Sequence, residues 1–182
     1  MPEPVIHPAA SVPDPDTGAV LRRDHLSRID PRTLYLLAKL RQDVFTLEQG
    51  ATDADLDGRE LEEGTILLWI EVPGEEARAA GLEREPAAHI RVLREADGTL
   101  RIGRLVTRAS NRHDGFGGRV MRAALDVTRE IDPTADVHID AQAYLEQWYL
   151  GMGYETIGPA FDEAGIEHVP MRFRHPEHPS RI

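Results

Sequence analysis

The stretch Leu105-Val106-Thr107-Arg108-Ala109-Ser110-Asn111-Arg112-His113-Asp114-Gly115-Phe116-Gly117-Gly118 is the part of this chain best suited to chemistry. An apolar strand pattern runs into glycines, and a helical pattern opens directly behind them. Glycines let the backbone turn sharply and aim successive N–H groups one way, and a helix start adds roughly half a positive charge. That combination is a cradle for an anion. Charge agrees with it, since residues 100–122 hold six arginines against Asp114 alone, a local +5 in a chain of net −11. The spacing Arg-x-x-Gly-x-Gly differs from the Gly-x-Gly-x-x-Gly of a dinucleotide fold and lacks the Gly-Lys-Ser/Thr of a nucleoside triphosphate loop. A glycine-rich turn with solvated arginines is the plain alternative.

Other groups are weaker candidates. His138-x-Asp140 and the pair His175 and His178 could each be drawn as metal ligands, but neither has a third ligand nearby, so no metal is expected. His89 and Arg91 share one face of a strand, where Arg91 is either structural or part of an acceptor pocket. Gln142 stands at a strand end, as pocket wall or backbone cap. Residues 53–63 carry six acids against Arg59, a net −5 that reads as a solvated acidic loop or as a rim favouring cationic ligands.

The elements that must position these residues alternate along the chain. Asp30-Pro31 is an N-cap followed by a proline suited to a first helical turn, and Leu34, Leu37, Leu40, Val44 and Phe45 follow at helical spacing. Strands are expected at 64–72, 87–93 and 99–107, the last two joined by the Asp97-Gly98 turn signal. A helix fits 116–130, a strand 136–141, and a short helix follows with Leu145, Trp148, Tyr149 and Met152 on one face. Two further strands are expected at 154–161 and 168–174. Proline-rich residues 1–17 read as an extended or mobile tail and 175–182 as a second tail. One α/β domain is left over 18–174, a mixed sheet with helices packed on it.

Composition narrows the function classes. A chain of 182 residues with 41% hydrophobic and 29% charged side chains is an ordinary single-domain globular composition. An excess of 32 acidic over 21 basic groups disfavours nucleic acid and anionic membrane as partners. The absence of cysteine excludes disulfides, thiolate metal sites and a cysteine nucleophile, and fits a cytoplasmic protein. Ile66 to Ile70 is the longest uninterrupted apolar run, far short of the ~20 residues of a membrane span. Met1-Pro2-Glu3-Pro4 lacks the features of a secretory signal.

Leu105, Thr107, Arg112, Gly115 and Gly117 stand in the register of motif A of the GNAT superfamily of acyl-CoA-dependent N-acyltransferases, and the segment resembles that motif. Leu40-Arg41-Gln42-Asp43-Val44-Phe45-Thr46-Leu47-Glu48-Gln49 is similar to a signature of the ElaA-like branch. So are Ala141-Gln142-Ala143-Tyr144-Leu145, Trp148-Tyr149, Gly153-Tyr154 and the run from Gly165 to Met171. The resemblance spans about residues 20–174. It departs from the branch at Gly50-Ala51-Thr52, where a cysteine and an aromatic are usual, and at Ile66-Leu67, where a histidine is usual.

The resemblance implies a GNAT-like, mostly antiparallel central sheet flanked by helices and splayed between its fourth and fifth strands. It implies acetyl-CoA as cosubstrate and no metal. The arm would pair with the backbone of Leu105, Val106 and Thr107, and the pyrophosphate would sit on Arg112, His113, Asp114, Gly115, Phe116, Gly117 and Gly118. Tyr149 is the implied acid for the leaving thiolate, and Glu48 and His168 compete as general base. Arg91 and Gln142 are candidates to line the acceptor site. The implied reaction is direct attack by a primary amine on acetyl-CoA in a ternary complex, the amine being a small molecule or a peptide. A non-catalytic acyl-CoA-binding module is the alternative, and a homodimer is left open.

Overall fold

A computed structural model describes residues 9–176. Its elements, in chain order, are β1 (Ala9–Ala10), β2 (Val20–Asp24), α1 (Pro31–Arg41), β3 (Ile66–Pro73), α2 (Glu75–Ala79), β4 (Arg84–Arg94), β5 (Leu100–Thr107), α3 (Phe116–Ile131), β6 (Val137–Gln142), α4 (Glu146–Leu150), β7 (Glu155–Thr156), β8 (Phe161–Glu163) and β9 (Ile166–Phe173). The sheet runs β1-β2-β3-β4-β5-β6-β9-β7, with β8 also paired to β9. Every pairing is antiparallel except β5 with β6, so the expected mixed, mostly antiparallel α/β architecture is present.

Strand alternation sorts the core into two layers. Ile66, Leu68 and Ile70 of β3, with Ala88, Ile90 and Val92 of β4, pack against Phe116, Val120, Met121, Ala124 and Val127 of α3. Each large apolar side chain buried this way contributes roughly 1.5–3 kcal/mol. The opposite face of β3 gives Leu67 and Trp69 to α1, which supplies Leu37. Asp30 caps α1 as expected, accepting from the N–H groups of Arg32 and Thr33 with Pro31 in the first turn.

Several boundaries differ from expectation. In place of the strand expected at 154–161 there are two short ones, β7 ending at Thr156 and β8 starting at Phe161, since Pro159 has no N–H to continue a ladder. Ala9 and Ala10 pair with Arg23 and Arg22, which brings part of the expected N-terminal tail into the sheet. β2 is short and polar, Val-Leu-Arg-Arg-Asp, and gave no alternation to read. The second expected tail is described only as far as Pro176, and His178 lies outside the described residues.

Candidate active site

Two irregularities in β5 open the site. The first is a bulge: His89 pairs with Val106 and Arg91 with Gly103, so Arg104 and Leu105 together oppose Ile90. Arg104 there takes a φ of +56°, a left-handed conformation that side chains other than glycine rarely adopt. The second is a splay. β5 pairs with β6 only at Leu100–Val137 and Arg101–His138, after which the strands part and β6 continues along β9. Residues 102–107 therefore have β4 on one side and no strand on the other. The fourth and fifth strands of the expected sheet are these two, displaced by one in number by β1.

A cavity of about 730 Å³ fills the gap, within the range of small-molecule sites. Leu105, Val106, Thr107, Arg112, Gly115, Gly117 and Gly118 line one side of it. Gly115 has a φ of +73° and caps α3 without a side-chain hydrogen bond, leaving the first-turn amides of α3 available to a ligand. A Cβ on Gly117 would lie 3.3 Å from Thr107 Oγ1, so the loop runs close against the strand and leaves no room there for a side chain. Phe116 turns into the core, while His113 and Asp114 are exposed, Asp114 accepting from Asn111 Nδ2 at 2.8 Å. Neither ring nor carboxylate of these three lines the cavity.

The positive segment is less free than its sequence suggests. Arg101 binds Asp140 and Glu95, Arg104 binds Asp55 and Asp57, Arg108 binds Glu85, and Arg112 binds Glu48 at 2.6 Å. Arg119 and Arg122 form no salt bridge among the described residues, Arg119 turning to the Ser11 hydroxyl with the Asp14 carboxylate near enough to feel its charge. Next to Gly118 the charge not taken up by a salt bridge is that of Arg122, added to the helix itself.

On the opposite side the lining includes Glu48, Gln49, Gln142, Tyr149, Glu163 and His168. Residues Gln42–Glu48 continue α1 as a π-helical turn, which swings Glu48 and Gln49 over the gap. Gln49 Oε1 accepts from Gln142 Nε2 at 3.1 Å, a bridge across the splay. The Arg112 guanidinium holds the Glu48 carboxyl below its usual range. Tyr149 is buried between Trp148 and Tyr154, with edge-on ring contacts at 4.8 and 5.5 Å, and burial pushes its phenol up. His168 Nδ1 lies 2.8 Å from the Ile166 carbonyl. A carbonyl can only accept, so Nδ1 carries the proton and Nε2 of the neutral ring keeps a free lone pair.

Arg91 reaches the wall but is spoken for. It is buried, donating to Asp57 at 2.7 and 2.8 Å and to Glu60 at 2.6 Å, while Arg41 binds the same Glu60 and Asp55. Three acids of the 53–63 stretch are thus internal counterions. Their arginines hold Asp57 and Glu60 well below the usual carboxylate range. Sequence reading missed Glu163 and the Arg104 bulge, because neither has a local pattern. The Ala164-Gly165 turn was the only available hint of the hairpin that presents Glu163.

The sequence matches the acetyltransferase (GNAT) domain family over residues 71–175. The chain belongs to that family. A UPF0039 protein of Mycobacterium tuberculosis is 37% identical over 154 residues, covering 83% of this chain and 90% of the relative. Protein ElaA of Escherichia coli is 28% identical over 151 residues, covering 81% and 91%. Its crystal structure superposes with a TM-score of 0.73, covering 85% of this chain and 98% of ElaA. An acyl-CoA N-acyltransferase from Pseudomonas aeruginosa superposes at 0.74 with 27% identity, covering 84% and 97%. The chain is a GNAT, ElaA-like protein with the acyltransferase fold, and an acyl-CoA is the cosubstrate that this fold implies. Among the described residues, no helix is long and apolar enough to cross a membrane, and no three His, Asp or Glu side chains gather as metal ligands would.

Proposed function

We propose that the protein transfers an acetyl group from acetyl-CoA to a primary amine by direct attack in a ternary complex. One observation carries this reading: the unpaired edge of β5, the buried phenol of Tyr149 and the bare Nε2 of His168 all face one cavity. The backbone of Leu105 to Thr107 would pair with the pantetheine arm. Arg112 and the amides of Gly115 to Gly118 would take the pyrophosphate, Arg112 exchanging its bond to Glu48 for one to phosphate.

His168 is assigned the base and Glu48 is not. A carboxylate already stabilised by Arg112 is a poor proton acceptor, whereas the fixed tautomer of His168 leaves its acceptor nitrogen open. Nε2 takes the proton that the attacking amine loses. Tyr149, kept neutral by burial, donates its proton to the departing sulfur and recovers one from solvent or from His168. The N–C bond forms as the C–S bond breaks, and no proton is left unaccounted for. Backbone N–H groups at the bulge are the available donors for the developing oxyanion. Residues 18–174 are read as the single catalytic domain, to whose sheet Ala9 and Ala10 add an edge strand, and the cysteine-free composition goes with a cytoplasmic setting.

The test is release of free CoA from acetyl-CoA in the presence of polyamines, aminoglycosides, amino acids and peptides. The expected result is release that depends on at least one amine. Tight acetyl-CoA binding with no release for any amine would instead make the protein an acyl-CoA-binding module.

A further inference from the structure

Resting on the transferase reading, we propose that the acceptor is a cationic primary amine whose ammonium group is held between the Glu163 carboxylate and His168 Nε2. These two atoms face each other across the β8–β9 hairpin at 3.9 Å. That is beyond direct hydrogen-bond reach. A nitrogen about 2.8 Å from each would see them at roughly 90°, about 20° inside the tetrahedral angle of an ammonium ion and within the bend that hydrogen bonds accept. One N–H then meets a full negative charge and the other meets the Nε2 lone pair, which takes a first proton to free the amine, passes it to solvent, and takes the second when the amine attacks.

The hairpin fixes this arrangement. His168 is nine-tenths buried, stacked on Phe161 at 6.0 Å, with its Nδ1 proton committed to the Ile166 carbonyl. Glu163 enters a two-residue turn whose central residues, Ala164 and Gly165, both have positive φ, 54° and 80°. An alanine held there is strained, and strain of this kind gathers where a position must be kept. Glu163 remains half exposed, able to meet an incoming solute, and both residues line the cavity with Tyr149.

The other charged groups around the cavity do not compete for the site. Arg101 is neutralised by Asp140 and Glu95, and Arg112 by Glu48. Gln142, opposite His168 in the register, is neutral. Asp55 and Asp57 are bound to arginines, and Asp53 has no cation partner among the described residues. The preference for cations expected of residues 53–63 is therefore placed mainly on the hairpin, with Asp53, which also lines the cavity, adding to the attraction.

The decisive comparison is wild type against Glu163→Gln and Glu163→Asp, with spermidine and the other amines that release CoA. Glu163→Gln should raise the amine KM at least tenfold and leave the acetyl-CoA KM unchanged. Its optimum in kcat/KM should move to higher pH, because the amine must then bind as the free base. Glu163→Asp should recover part of the loss, which a merely structural role for the hairpin would not produce. An unchanged amine KM and pH optimum in Glu163→Gln would overturn the proposal, as would equal turnover of acidic and cationic amines by wild type. Failure of every amine with wild type, acetyl-CoA still binding, would overturn the transferase reading itself.

Discussion

The two walls of the cavity are built from different materials. The β5–α3 wall offers backbone: an unpaired strand edge, a bulge and the amides of a helix start at Gly115 to Gly118. The β6–β9 wall offers side chains: Tyr149, Gln142 and His168, each set by packing or a hydrogen bond, and Glu163, placed by its turn. Backbone recognition needs a conformation and tolerates many side chains. Side-chain recognition needs particular atoms at particular places. The difference predicts how each wall fails when altered.

The sharpest test of that contrast is Tyr149→Phe. Only the hydroxyl is lost, and the edge-on contacts to Trp148 and Tyr154 remain, so stability should hold. Loss of a general acid should lower kcat by roughly 10²–10⁴-fold with acetyl-CoA binding nearly unchanged. Retention of more than half of the wild-type kcat, measured where chemistry limits turnover, would reduce Tyr149 to packing.

Gly117→Val probes the backbone wall. The new Cβ would sit 3.3 Å from Thr107 Oγ1, and its methyl groups would occupy the path proposed for the phosphates. CoA affinity measured by calorimetry should fall at least tenfold, about 1.4 kcal/mol. Unchanged affinity with the fold intact would mean that the loop is not the cradle.

The smallest effect separates site from scaffold. His89 is fully buried behind Val106, Nδ1 bonded to the Leu68 carbonyl, and burial with the nearby Arg41 charge pushes its pKa down to about 3. The unfolded chain takes up a proton near pH ~6.5 while the folded one resists it. Stability from this group is therefore complete above that pH and is lost as pH falls toward the folded value. Thermal midpoints should decline from about pH 6.5 downward, and His89→Leu should flatten that decline. An equal slope in the variant would place the acid sensitivity elsewhere.

The order and type of the main elements were legible because they repeat simple periods. Leu34, Leu37 and Leu40 mark α1, and Val120, Ala124 and Thr128 mark α3. The backbone wall was legible too, since glycine spacing is a direct record of backbone conformation. The side-chain wall was not. The sequence left Arg91 open between a structural and an acceptor-pocket role, because its partners Asp57 and Glu60 lie 34 and 31 residues away, a closure that no local pattern reports. The cluster of arginines around the loop overstated the field for the same reason. Glu163 was invisible until the hairpin folded it against His168.

The parting of β5 and β6 creates an open edge in the middle of a sheet. Exposed edges normally invite another strand, and proteins hide or blunt them to avoid sticking to one another. Here the edge is sunk between β6, the π-helical turn and the start of α3, so its unpaired backbone cannot reach a flat neighbour. Only something as slender as a single extended chain can enter and complete the ladder. The architecture thus turns an aggregation hazard into a filter by thickness, applied before any side chain is consulted.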